Sequence, residues 1–128
     1  MRASIQEVVF DCSDSPSNPA RFWADIFGAR WAAMGDDWAL VESTPIRVAF
    51  QRVPEEKVTK NRLHLDIHVE DAIKASEAAV AMGAMIITPL QGGPTTGCIV
   101  MADPWGKEFS LDPTKIYQPR DNRKPPNP

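Results

Sequence analysis

The sequence lacks most of the features that would assign it to a functional class at once. It has no apolar run near the roughly 18 residues of a membrane span, and its start, MRASIQEVVF, has no long apolar signal core. It also has no excess of basic charge, since its net charge is −3 and its pI is about 5.3. These absences predict a cytoplasmic protein that binds neither nucleic acid nor a membrane.

The common catalytic and cofactor motifs are missing as well. The sequence contains no GxGxxG, no GxSxG and no CxxC. Residues 92–98, GGPTTGC, have the spacing of a phosphate-binding loop, but Cys98 stands where the lysine must be, and a strand is predicted to follow instead of a helix. This segment is therefore predicted to be a turn between strands. Cys12 and Cys98 are predicted to be buried free thiols, with a disulfide or a reactive thiol as the alternatives.

What the sequence does contain is a repeated pattern of elements. Each half is predicted to run β-α-β-β-β, and both halves pass from helix to strand through a Gly-Ala pair, FGARW at 27–31 and MGAMI at 82–86. Asn18 is predicted to cap the first helix and Gly28 to end it. The predicted inward side chains are Phe22, Trp23, Ile26 and Phe27 in the first helix and Ile73, Ala79 and Val80 in the second.

The segment NRLHLDIHVED, residues 61–71, contains both histidines of the chain. Strand alternation places His64, Asp66 and His68 on one face, opposite an apolar face. The two histidines are about 13 Å apart at roughly 3.3 Å per residue, too far to share one ion. His64 with Asp66 as part of a metal site, an aspartate–histidine acid–base pair, and a merely polar face all stay open.

The order and spacing of several short segments resemble the glyoxalase / bleomycin-resistance / dioxygenase superfamily, also called vicinal oxygen chelate proteins. The resemblance covers about residues 5–113 and rests on VVFDCSD, ARFWADIFGA, RVAFQRVPEEK, NRLHLDIHVED, AMGA and ADPWGKEFSLDP. It implies an α+β fold in which two paired βαβββ modules form a curved mixed sheet around a cavity, with helices on the outer face. It also implies a homodimer whose cavity is built or completed at the interface.

The same resemblance gives the expected boundaries. A glyoxalase-like domain is expected over 1–113, with module one at 5–53 and module two at 62–113. Residues 114–128 are expected to be a flexible, proline-rich tail.

The resemblance also implies where a divalent metal would bind. His64 and Glu7 match the ligand positions on the first strand of each module, and Gln51 is the nearest candidate late in module one. The late glutamate of module two is replaced by Ser110, which is a poor ligand for a divalent cation. The sequence therefore favours a protein without a bound divalent metal, although a metal is possible. The cofactor stays undetermined.

The pocket is expected to bind a small organic molecule, because mixed polar and aromatic linings suit such ligands. His64 and Asp66 are the candidate catalytic residues. The expected ligand-binding residues are Glu7, Asp11, Trp38, Gln51, His64, Asp66, His68, Trp105 and Ser110.

Three functional hypotheses follow, and whether the protein is an enzyme stays open among them. The first is a non-catalytic protein that sequesters a drug or metabolite in a dimeric cavity. The second is a metal-dependent lyase, isomerase or dioxygenase of the same superfamily. The third is a metal-free enzyme that uses the face formed by His64, Asp66 and His68 for acid–base chemistry.

Overall fold

A computed structural model of the chain describes residues 1–2, 5–59 and 63–113. The predicted tail at 114–128 lies outside the described residues. No helix in the described part of the chain is long and apolar enough to cross a bilayer.

The described chain forms the βαβββ pattern twice. Module one contains one helix and four strands, and module two follows in the same order. The elements are β1 (Glu7–Cys12), α1 (Ser17–Phe27), β2 (Trp31–Ala33), β3 (Trp38–Val41), β4 (Arg47–Arg52), β5 (Leu65–His68), α2 (Ala72–Ala81), β6 (Met85–Gln91), β7 (Cys98–Ala102) and β8 (Glu108–Asp112).

Each module builds its own four-stranded mixed sheet with the same strand order. Sheet one runs β1-β4-β3-β2 and sheet two runs β5-β8-β7-β6. In each sheet the first strand pairs in parallel with the last, and the other pairs are antiparallel. The repeat and the α+β fold class predicted from the sequence are confirmed.

Strand β1 turns alternate side chains towards the core from Val9 to Cys12. Phe10 stacks on Phe50 with their ring centroids 5.8 Å apart, and Cys12 is buried on the same side. Val9 and Asp11, on the opposite side, are exposed. Sheet one therefore has one face towards the core and one open face.

Helix α1 begins earlier than the sequence suggests. Its N-cap position is Pro16, with φ of −61° and no side-chain cap, so the expectation that Asn18 caps the helix is wrong. Proline already has a helical φ, which allows the helix to start before Asn18. Gly28 ends the helix in the left-handed conformation, as predicted, and Phe22 and Trp23 are buried.

Helix α2 packs through small side chains. Asp71 caps it by accepting a hydrogen bond from the Lys74 backbone N–H at 3.0 Å. The predicted inward positions of Ile73 and Val80 are wrong, since their side chains are 39% and 47% exposed. The buried stripe consists of Ala72, Ser76 and Ala79, and Ile73 and Val80 lie one residue, or about 100°, further round the helix.

The two cysteines have different environments. Cys12 is buried, as predicted, but Cys98 is exposed, and both are free thiols. Cys98 is the first residue of β7, next to the turn at 92–97, and alternation directs it away from the buried Ile99 and Met101. The prediction of a buried thiol at Cys98 is therefore wrong.

The modules meet at the turn between β7 and β8. The Trp23 indole N–H donates to Asp103 Oδ2 at 3.1 Å, and its ring lies against Phe109 with the centroids 4.8 Å apart. Asp103 Oδ1 accepts from the backbone N–H groups of Trp105 and Lys107 at 3.0 and 2.8 Å. Burial raises the pKa of the Asp103 carboxyl, and these hydrogen bonds oppose that rise.

Candidate functional site

The open face of sheet two presents the histidine strand. His64 Nε2 lies 3.3 Å from Asp66 Oδ1, and the two side chains are 58% and 65% exposed. His68 is also exposed, while Leu65 and Ile67 pack against the core. The alternation seen in the sequence therefore brings His64 and Asp66 into direct contact on a solvent-facing surface.

Strand β8 extends this polar surface. Asp66 pairs with Ser110 and His68 with Asp112 across the parallel ladder. Ser110 in turn lies opposite Val100 of β7. A hollow of about 280 Å³ opens beside this row, lined by His64, Ile87, Thr88, Val100, Glu108, Phe109 and Ser110.

The predicted residues of module one form a separate group on sheet one. Gln51 pairs with Asp11 on one side and with Trp38 on the other, so the three side chains form a row. Glu7 lies further along β1, where its Oε1 is 3.8 Å from Arg47 Nη2 and its buried Oε2 has no hydrogen-bond partner in the described structure. The predicted ligand-binding set is thus divided between two sheets.

These positions do not fit a divalent metal held by one chain. His64 and Glu7, the two expected ligands, lie on different sheets. Residues 1–2, 5–59 and 63–113 contain no group of three histidine, cysteine, aspartate or glutamate side chains close enough to hold an ion. Ser110 supplies a hydroxyl where a carboxylate would be needed.

A larger cavity lies between the modules. It measures about 700 Å³ and brings Asp11 and Trp105, both predicted ligand contacts, to the same wall. Two further lining residues, Cys12 and Lys107, were missed from the sequence as site residues. Burial raises the pKa of the Cys12 thiol, although Lys107 and Arg52 act in the opposite direction.

Comparison with known proteins agrees with this geometry. The family profile described as "Glyoxalase-like domain" matches residues 7–111, which span both modules. The chain belongs to the glyoxalase-like domain family. No match to it was found among curated proteins.

Solved structures share the fold of this glyoxalase-like chain at low sequence identity. A glyoxalase/bleomycin resistance protein/dioxygenase family enzyme from Burkholderia phytofirmans PsJN has a TM-score of 0.71 at 15% identity, over 85% of this chain and 97% of that one. The fosfomycin resistance protein FosX from Mesorhizobium loti has a TM-score of 0.68 at 17% identity, over 91% and 95% of the two chains.

A third similar structure is a bleomycin-binding protein from Streptomyces verticillus, complexed with copper(II)-bleomycin. Its TM-score is 0.62 at 23% identity, over 90% of this chain and all of that one. At these identities the likeness establishes the fold that the glyoxalase-like chain shares with all three proteins. It also shows that this fold occurs in both a fosfomycin resistance protein and a bleomycin-binding protein.

Proposed function

We propose that this glyoxalase-like protein binds a small organic molecule on the open face of sheet two, in the cytoplasm, and sequesters it. The observation that carries the proposal is the hollow beside Ser110, where a polar row meets the apolar side chains of Ile87 and Val100. Mixed linings of this kind orient a ligand through a few polar groups while its apolar surface is buried.

A second copy of the chain is proposed to complete the cavity. The hollow is open on this side of sheet two, and the neighbouring edge strand β6 carries three exposed apolar side chains. Met85, Ile86 and Ile87 are 59%, 49% and 48% exposed. Contiguous apolar surface on an edge strand favours association with another chain. Sedimentation analysis should give a dimer, and Ile87→Lys should shift it towards monomer.

A thermal-shift screen tests the binding proposal. Copper-bleomycin, fosfomycin and a panel of planar antibiotics would be added, and a true ligand should raise Tm through mass action. Ser110→Leu fills the hollow and should abolish that rise. Thr95→Leu, in the exposed turn at 92–97, should retain it. A ligand that stabilises the wild type and the Ser110 variant equally would contradict this location.

A second candidate function rests on the 3.3 Å contact between His64 and Asp66. A carboxylate can orient an imidazole as a general base, which would allow metal-free proton transfer on a bound metabolite. Small 2-oxo acids in deuterated water would be followed by NMR for exchange at the carbon next to the carbonyl. His64→Gln should slow exchange about 10²–10⁴-fold with little loss of binding. Unchanged exchange would remove this candidate.

The remaining alternative is a metal-dependent lyase, isomerase or dioxygenase. The donor set argues against it, because Ser110 replaces the expected carboxylate and residues 1–2, 5–59 and 63–113 bring no three ligating side chains together. Metal analysis of purified dimer should therefore find no stoichiometric divalent ion. An ion present at one per chain and lost in His64→Ala would reverse this conclusion.

A further inference from the structure

The cavity between the modules is distinct from the hollow on sheet two. Its walls come from the end of β1, the connector at 53–59 and the turn after β7, and it shares no lining residue with the hollow beside Ser110. At about 700 Å³ it lies within the size range of small-molecule sites.

Lys107 places a positive charge in the wall of this cavity. The residue is only 8% exposed and lines the cavity wall. Its backbone N–H donates to Asp103 Oδ1, and the charge of its ammonium acts on both Cys12 and Asp103.

The nearby Asp103 carboxylate already has other hydrogen-bond donors. Its two oxygens already accept hydrogen bonds from the Trp23 indole and from two backbone N–H groups. An anion that enters the cavity would give the Lys107 ammonium a charged hydrogen-bond partner, and such bonds are stronger than those between neutral groups. The Lys107 ammonium therefore favours a negatively charged ligand.

The apolar and aromatic residues of the cavity wall limit the shape of that ligand. Phe10 and Trp105 line the cavity, and Trp105 is held in place by an edge-to-face contact with Phe22 at 6.1 Å. Val9, Val53 and Leu63 add apolar surface. A flat apolar body fits such walls, because aromatic side chains bury large apolar area against planar groups.

The charged side chains in the cavity lining limit the net charge of the ligand. Asp11, Glu55 and Glu56 are exposed carboxylates in its lining. Lys57, also exposed, already donates to the carbonyl of Thr59. One lysine ammonium in a lining that also holds three carboxylates favours a ligand with a single negative charge over a dianion.

We propose that this cavity binds a small organic monoanion, a carboxylate carried on a flat apolar body, with the carboxylate on the Lys107 ammonium. The proposal goes beyond the function proposed above, because it assigns a second site with its own residues.

Calorimetric titration with three matched probes tests the charge requirement. The probes are 1-naphthoate, the neutral 1-naphthamide and the dianionic 1-naphthyl phosphate. Naphthoate should bind about tenfold or more tightly than the amide, since a hydrogen bond between charged groups is worth that ratio. The phosphate should bind more weakly than naphthoate. Equal binding of all three, or no naphthoate binding up to millimolar concentration, would overturn the proposal.

A lysine pair tests the position of the charge. Lys107→Met keeps the aliphatic stem and removes the ammonium, and should lower naphthoate affinity about tenfold. Lys74→Met makes the same change on the exposed surface of α2 and should leave the affinity unchanged. Equal affinities in the two variants would refute a role for Lys107.

The two cysteines provide a readout that needs no variant at Lys107. Cys12 lines the cavity, whereas Cys98 is exposed on sheet two. Bound naphthoate should slow alkylation of Cys12, measured by mass spectrometry, and leave Cys98 unaffected. Protection should persist in Ser110→Leu, which separates this site from the one on sheet two. An unprotected Cys12 would overturn the proposal even if Lys107→Met failed to fold.

Discussion

The two modules share one topology but are packed in different ways. Helix α1 buries the large rings of Phe22 and Trp23, whereas the buried stripe of α2 consists of Ala72, Ser76 and Ala79. The same strand order and parallel pairing are therefore compatible with two different kinds of helix packing. A shared topology determines the path of the backbone, but it does not determine where the large core side chains lie.

The two helices also differ in how they contribute to the contact between the modules. Trp23 reaches from module one to Phe109 and Asp103 in module two. Each helix packs mainly on the sheet of its own module, α1 on β2, β3 and β4 and α2 on β6, β7 and β8, so the rings of α1 provide the connection. We infer that α1 stabilises both modules and α2 chiefly its own.

Trp23→Ala should cause the largest loss of stability among the variants that test this difference between the helices. Removing a buried tryptophan side chain leaves a cavity and should lower the free energy of unfolding by about 3–5 kcal/mol. Denaturant unfolding measures the change. Trp38→Ala, which alters a half-buried ring on sheet one, should cost clearly less. If the Trp38 variant were the less stable of the two, α1 would not be the dominant connection.

Asp103→Ala should come next. The Asp103 side chain is fully buried, and its loss leaves the Trp23 indole and two backbone N–H groups without their acceptor. Each unsatisfied group costs about 1–3 kcal/mol, partly offset by relief of a buried charge, so a loss of about 2–4 kcal/mol is expected. Asp25→Ala on the exposed side of α1 is the control. Equal stability of both variants would show that the junction contributes nothing.

Ala79→Leu tests the close approach of α2 to its sheet. Ala79 is 1% exposed, so added methyl groups should cost about 1–3 kcal/mol by overpacking. Ala78→Leu makes the same change at an exposed neighbour and should stay within about 0.5 kcal/mol of the wild type. Thermal unfolding of both variants would reveal whether small side chains are required there.

The pH dependence of the junction should give the smallest effect. Burial raises the pKa of Asp103 above its unfolded value, so the folded state binds the proton more tightly. Its contribution to stability is therefore full below the unfolded pKa and is lost as pH rises through the folded pKa. The stability of the wild type relative to Asp103→Asn should fall over that interval. A rise would contradict the direction of the shift.

The predictions that succeeded rest on local periodicity. Alternation around His64 placed His64, Asp66 and His68 on the exposed face and Leu65 and Ile67 towards the core, because strand geometry has a period of two. Gly28 was identified as a helix end because its left-handed φ suits glycine. The strand order and the separation into two sheets depend on pairing between distant segments, which local periodicity does not encode.

The predictions that failed depend on tertiary packing. Ile73 and Val80 were expected inside because they are large and apolar, but close helix–sheet approach selects the alanine side of α2. Lys107 was missed because a lysine in DPWGKEF carries no sequence signal of burial. Its environment is created by module one, and Cys12 and Lys107 are brought to one wall only when the two halves meet.

The bond between Trp23 and Asp103 spans 80 residues of sequence, and this separation has a consequence for synthesis. At ribosomal rates of about 5–20 residues per second, Asp103 is made roughly 4–16 seconds after Trp23. Throughout that interval the nascent first module carries an aromatic surface whose covering segment does not yet exist. We therefore expect translation speed and chaperone supply to influence the yield of folded protein in a cell.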